Sequence, residues 1–524
     1  MGRRLGFVCA LPGTLSSAVF AILAMAWAAP ATALSLAAAL AATLADNREV
    51  QVASAVARGA AGAAEQARGA FDPLVSVTGQ RSRDRRPLSE AEHLAAPEAG
   101  EQTSSGASLA ARVERRLSSG LTVSGSAVSS YSDDRLAREL GIAAKTTRAL
   151  VLGVKLPLAR GAGDGNAAKA TLAAAEREAE AAGQEARHQL SLALRDTAAA
   201  YWEYLSRWRQ LEISRLGEER TLGLLQELKK LIAADEVPAA DLDLALANHA
   251  ERGNARIAAE QALLEARQTL ARGMGLATEQ QDRLGQPGED FPDLDATTAP
   301  SLAALRQRAL ARRQDWLALE RRVAGLRERL AAARDLARPL VDLSVNLSSN
   351  GLREGAAMAA TANPFAAPFA GPGLMAQLQV QLPVGNRTAL GGVAQVSAQL
   401  TEAELRRQSL GDDIGSAVEA RLAELRRAAE TLAGSTRIVQ LYERTLANER
   451  TKRRLGTATL IDVLNVEDRY FRALLDDVQR RRNYAVALAR LGHEIDTLVV
   501  ARDGQAAVNL GAFAHLSALP DSTP

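Results

Sequence analysis

The sequence predicts a mainly α chain with a smaller β part, in which one structural plan is used twice. Three observations predict it. Short motifs return in the same order: Ala67-Arg68 followed by Phe71-Asp72-Pro73-Leu74-Val75 recurs as Ala333-Arg334 followed by Ala337-Arg338-Pro339-Leu340-Val341, an offset of 266 residues. Leu156-Pro157-Leu158 recurs as Leu382-Pro383-Val384, an offset of 226. Long segments carry apolar residues in alternating steps of four and three, the spacing of packed helices. Short segments near the prolines alternate apolar and polar residues, as strands with two unlike faces do.

Composition points the same way. The chain has 524 residues, 47% hydrophobic and only 3% aromatic. An alanine-rich, aromatic-poor balance suits long close-packed helices and disfavours an ordinary α/β enzyme. Lys+Arg number 63 against 61 Asp+Glu. Loss of Arg3 and Arg4 with a leader makes this 61 against 61, which leaves no basic excess for nucleic acid.

That leader is residues 1–33. Arg3 and Arg4 form a positive start, an apolar run extends to Trp27, and Ala31-Thr32-Ala33 supplies a small-residue cleavage pattern. Cys9, the one cysteine, falls inside it, so the mature chain is expected to hold no disulfide, thiolate metal site or thiol nucleophile. No later stretch offers about 18 uninterrupted apolar residues. A membrane crossing by the mature chain therefore requires a closed β-barrel.

In chain order, a helix over 35–70 precedes a first set of strands. The row Leu150, Leu152, Val154, Leu156, Leu158 closes that set. A long helix over 166–234 then carries the seam Leu190, Leu194, Thr197, Tyr201, Tyr204, Trp208, Leu211. Its length is roughly 100 Å at about 1.5 Å per residue, wider than a compact domain. A turn near 235–239 leads to a return helix over 240–273. The second copy repeats this: a helix over 301–337, strands, a long helix over 388–455 with Val418, Leu422, Leu425, Ala429 and Leu432 on one seam, a turn near 456–459, and a return helix over 460–492.

Its strands alternate most cleanly. Val341, Leu343, Val345 and Leu347 point one way and Asp342, Ser344, Asn346 and Ser348 the other. Leu374, Ala376, Leu378, Val380 and Leu382 oppose Met375, Gln377, Gln379 and Gln381. Polar loops at 82–105 and 351–372, set against a tight turn at Ser118-Ser119-Gly120, suggest a barrel with long loops on one side. The domain plan is a leader, 1–33; a first repeat, 34–273; a linker or equatorial segment, 274–300; a second repeat, 301–492; and a tail, 493–524.

The residues Leu34 to Ala70 with the Asp46-Asn47 step, the Leu156-Pro157-Leu158-Ala159-Arg160-Gly161 junction, Ala200-Tyr201-Trp202, and Leu455-Gly456-Thr457-Ala458-Thr459-Leu460-Ile461-Asp462-Val463-Leu464 resemble the TolC-like outer-membrane efflux protein family. The resemblance covers nearly all of the mature chain, and against the family pattern Leu109 to Tyr131, folded at Gly120, looks like an extra hairpin found only in some members. It implies a homotrimer whose helices form a long coiled-coil α-helical barrel joined to a transmembrane β-barrel shared by three protomers. It also implies a periplasmic adaptor and an inner-membrane transporter as partners, contact with outer-membrane lipid, and a role in efflux or type I secretion.

By the same resemblance Asp462 corresponds to a carboxylate ringing a periplasmic aperture, with Asp241 at the matching place in the first copy. Asn465 stands where the family has a second carboxylate. A threefold carboxylate ring repels itself, attracts cations and narrows a pore. Thr459-Leu460-Ile461-Asp462 also reads as a capping box. The tip-turn residues Gly456, Thr457, Arg453, Arg454, Glu236 and Pro238 are candidates for adaptor contact. The first tip, Asp235-Glu236-Val237-Pro238-Ala239, lacks the glycine that Gly456 supplies in the second.

Catalysis finds no support, and no cofactor or metal is expected. His93, His188, His249, His493 and His515 are scattered with no metal-spaced pair. Gly161-Ala162-Gly163-Asp164-Gly165 lacks the spacing and lysine of a phosphate loop. The alternative to a passive conduit is a periplasmic coiled-coil adaptor or scaffold outside the membrane.

Overall fold

The computed structural model describes residues 33–95, 97, 100–163, 166–234, 240–281, 284–294, 301–355, 371–502 and 505–515. The predicted leader, the first tip turn and the end of the tail lie outside them. The described residues are mostly helical, with one six-stranded sheet and a small two-stranded one. It divides into two compact units, one of Met1–Gln51, Gln189–Ala309 and Gly415–Pro524, the other of Val52–His188 and Leu310–Ile414. The divisions fall inside helices, so the units do not coincide with the two sequence repeats.

The first predicted helix is two: α1 (Leu36–Asp46) and α2 (Arg48–Arg68). Asn47 causes the break. Its Oδ1 accepts from the backbone N–H of Glu49 at 2.9 Å and of Val50 at 3.2 Å, while its Nδ2 donates to the carbonyl of Gly273 at 2.8 Å. A side chain that caps the next helix ends the previous one. The second copy breaks at the equivalent place. Helices α5 (Leu302–Arg312) and α6 (Gln314–Leu336) meet at Arg313, which lies 266 residues after Asn47, the offset of the first motifs. There the guanidinium pairs with Asp315 at 2.9 Å, and Asp315 accepts from the N–H of Trp316.

Four strands follow α2: β1 (Leu74–Arg86), β2 (Gln102–Arg116), β3 (Thr122–Asp134) and β4 (Lys145–Pro157). Two follow α6: β5 (Leu340–Glu354) and β6 (Pro372–Gln381). All pair antiparallel in sequential order, β1 to β6. The expected hairpin at 109–131 is thus a pair of full strands, and the strands reach into what read as loops at 82–105 and 351–372. The sheet is open in the single chain, with β1 and β6 as its edges.

Two helices, α3 (Ala167–Ala233) and α7 (Arg387–Arg454), contain 67 and 68 residues. Their return partners are α4 (Ala240–Gly273) and α8 (Leu460–Glu494). In the first unit the α3 seam is buried: Leu190, Leu194, Thr197, Tyr201, Tyr204 and Leu211 pack inward. They meet Leu36 and Leu40 of α1, Leu270 of α4, Phe291, and Phe513 near the chain end. Full burial of a side chain such as Leu194 contributes about 1.5–3 kcal/mol. The tyrosines keep their hydroxyls satisfied, Tyr201 donating to the Leu34 carbonyl at 3.0 Å and Tyr204 to that of Gly285 at 3.1 Å.

Candidate functional site

The tip between α7 and α8 is built by local chain chemistry. Helix α7 ends in Lys452, Arg453 and Arg454, cations placed where the helix dipole is negative. The chain reverses at Gly456, whose φ of +75° suits glycine. The N–H of Thr457 bonds the Lys452 carbonyl at 2.9 Å and that of Gly456 bonds the Arg453 carbonyl at 2.9 Å, a Schellman closure. Thr459 then caps α8. Its Oγ1 accepts from the Asp462 N–H at 3.2 Å, and the Asp462 carboxylate accepts from the Thr459 N–H at 2.9 Å.

Capping therefore occupies one oxygen of Asp462. Hydrogen bonds from the Thr459 hydroxyl and N–H, with help from Lys452, hold its carboxyl below the usual range. Asp462 and Asn465 are both exposed, three residues apart on one face of α8. Beneath them Leu460 packs on Leu225, Leu228 and Ala245, a small cluster joining α3, α4 and α8. Arg453 pairs with Glu227 of α3 at 3.2 Å, while Arg454 donates to Thr451 within its own helix. Asp241 lies in the first turn of α4. Glu236 and Pro238 lie outside the described residues.

About two turns beyond Asp462 along α8 is a cluster that sequence reasoning missed. Arg252 of α4 pairs with Asp468 at 2.7 Å, and Arg450 of α7 with Glu467 at 2.8 Å. Arg220 of α3 lies 3.9 Å from the same Glu467. The Arg220 and Arg252 guanidinium carbons stand 5.6 and 5.1 Å from the Phe471 ring centre. The contacts of Arg220 and Arg252 tie the two helical hairpins together. The partners in the cluster are 17 to 251 residues apart, so no local pattern reveals them.

In the second unit the sheet has two unlike faces. Register puts Leu152, Leu347 and Leu374 in one row, and Val154, Val345 and Ala376 in the next. The apolar face continues through Val123 of β3 and Val113 of β2 to Val75 and Val77 of β1. Much of it is exposed in the single chain, Val77 at 68%, Leu152 at 57% and Leu378 at 61%, while Ala127, Ser129, Thr146 and Arg148 on the same side of β3 and β4 are buried. The opposite face carries Gln377, Gln379, Ser344 and Asn346. There Asp342, buried, accepts from Lys155 at 2.7 Å.

Among the described residues no group of three or more His, Cys, Asp or Glu side chains is placed to hold a metal. His493 is buried, its Nδ1 2.9 Å from the Ser191 hydroxyl. No helix of the described residues is long and apolar enough to cross a membrane.

No protein-family profile matches the chain, and no curated protein sequence matches it. Solved structures do. A membrane protein from Pseudomonas aeruginosa is 16% identical, with a TM-score of 0.64 over 88% of this chain and 90% of that one. The CmeC outer membrane channel of Campylobacter jejuni is 13% identical, with a TM-score of 0.63 over 88% and 85%. The outer membrane protein VceC of Vibrio cholerae is 16% identical, with a TM-score of 0.60 over 88% and 95%. At such identities the likeness establishes the fold.

Proposed function

We propose that this chain is one protomer of a trimeric outer-membrane channel, the exit duct of a tripartite efflux pump or type I secretion system. It acts as a passive conduit, opened at its periplasmic tip by an adaptor and an inner-membrane pump. The observation that carries the proposal is the sheet. One face carries exposed apolar side chains on all six strands, Val77, Val113, Val123, Leu152, Leu347 and Leu378 among them, the other is polar, and both edges are open. An exposed apolar sheet with free edges aggregates in water unless something covers it. Lipid covers such a face in a closed barrel, and neighbouring copies complete the edges. The shared fold with outer-membrane channels supports the same reading.

Three copies of the α7–α8 turn bring Asp462 and Asn465 together around an aperture, with Asp241 from the first hairpin. Gly456, Thr457, Arg453, Arg454, Glu236 and Pro238 then offer the adaptor its contact. A soluble coiled-coil scaffold does not account for the apolar sheet face. Detergent extraction of the outer-membrane fraction, followed by mass measurement, is expected to give a trimer that conducts in planar bilayers. A water-soluble periplasmic monomer refutes the proposal.

A further inference from the structure

The two copies do not contribute equally to the sheet. Among the described residues two strands, β5 and β6, lie between the helices of the second copy, whereas four, β1 to β4, lie between those of the first. The motif offsets measure the excess. They fall from 266 before the strands to 226 after them, so the first copy holds 40 additional residues there. Strands β2 and β3 with the single-turn helix Arg135–Glu139 span residues 102–139, and with the turn at 140–141 they make a segment of that length.

The excess is built into the sheet. Strand β2 pairs with β1 from Leu74↔Glu114 to Arg86↔Gln102, and β3 pairs with β4 from Thr122↔Lys155 to Ser132↔Lys145. An insertion of two strands keeps the alternation of direction, so β1 and β4 would still run antiparallel without it. Val113 and Val123 lie exposed on the apolar side with Val77 and Leu152, while Ala127 and Ser129, further along β3 on that side, are buried. The turn is anchored. Asn166, the residue before α3, donates from Nδ2 to the Ser118 carbonyl at 2.6 Å and accepts from the Lys169 N–H at 2.9 Å. Gly120, at φ +91°, fits so closely that a Cβ there would meet the Gly161 carbonyl oxygen at 2.1 Å.

We infer that β2–β3 is an inserted pair of wall strands that widens the outlet, so that this channel releases bulkier solutes than its two-copy plan would allow. The inference rests on the trimeric channel reading. Three copies of the plain plan close twelve strands, and three copies with β2–β3 close eighteen. At about 4.8 Å between strands and a tilt of about 40°, the backbone diameter rises from about 24 Å to about 36 Å. With about 5 Å of side chain on each wall, the bore grows from about 14 Å to about 26 Å.

Two measurements test this, both using the fact that the only cysteine, Cys9, falls in the predicted leader. In the first, Val123→Cys, Leu152→Cys and Ser126→Cys each carry a fluorophore in vesicles containing brominated lipid. Val123→Cys is expected to be quenched as strongly as Leu152→Cys, with Ser126→Cys, on the opposite face, unquenched. Quenching at Leu152→Cys without quenching at Val123→Cys overturns the inference and leaves the channel intact. Loss of quenching at both overturns the channel reading itself.

In the second, Gln379→Cys on the polar face is challenged from outside intact cells with maleimide-polymers of graded size, with and without residues 102–141. Deletion is expected to lower the largest reactive diameter by about 12 Å. An unchanged cut-off in an inserted, trimeric deletion protein refutes the widening. Where that deletion protein fails to assemble, the quenching measurement on the full chain decides.

Discussion

Leu378→Arg, compared with Gln379→Arg, separates a lipid-facing sheet from a soluble one with a single step along β6. Leu378 lies at the middle of the apolar row Leu374 to Leu382, four residues from either end. At about 3.3 Å per residue and a strand tilt of about 40°, that is about 10 Å of depth on each side, which puts the leucine near the bilayer midplane. An arginine there costs about 2–4 kcal/mol, against about 0–1 kcal/mol at an interface. Gln379 points to the opposite, polar face, where an arginine is solvated and its cost is small.

The single chain makes a different forecast. Leu378 is 61% exposed, and a substitution at such a position on a soluble protein changes stability by about 0.5 kcal/mol or less. Reversible urea unfolding from lipid vesicles reads the difference, with outer-membrane insertion in cells as a second readout. Loss at Leu378→Arg of about 2–4 kcal/mol with near-wild-type behaviour at Gln379→Arg is expected. Equal losses at both positions, or none at either, refute the barrel register.

Three further outcomes follow from the helical tip. Asp462→Ala is expected to raise single-channel conductance and antibiotic entry, while Asp462→Glu, which keeps the charge and can still reach back to cap, stays near wild type; no change in conductance or ion preference with either substitution leaves Asp462 a cap alone. Because the cap holds Asp462 below the usual carboxylate range in one chain, its stabilisation of the α8 start is present above that range and lost only as pH falls through the lowered value; a ring of three carboxylates pushes the other way, so loss of cation preference at or above about pH 4 marks the ring, and a cation preference unchanged across that range leaves Asp462 a cap alone. Arg252→Ala removes the Asp468 pair and a cation over Phe471, and is expected to loosen the hairpins and raise the fraction of open channel in planar bilayers; an unaltered opening probability would sink a restraining role for this cluster.

What was legible in the sequence is what depends on near neighbours along the chain. The α3 seam is read from its steps of four and three, because a helix repeats that face whatever it meets. The Thr459–Asp462 cap is read from three residues, because both of its hydrogen bonds close within one turn. The helix break at Asn47 is only half legible. Asparagine is a good cap, but a helix runs through many asparagines, and the partner that fixes this one is the Gly273 carbonyl, 226 residues away. The Arg252–Asp468 pair is not legible at all, since its 216-residue separation leaves no periodic trace. Whether Asp462 lines a ring depends on contacts between copies, which a single chain's pattern cannot encode. Strands β2 and β3 mark an intermediate case. Their alternation is weak, with glycine, alanine and serine at many positions, yet the 40-residue fall in the motif offset locates them. A repeat compared with itself thus detects an insertion that propensity alone misses, because the second copy supplies the reference length.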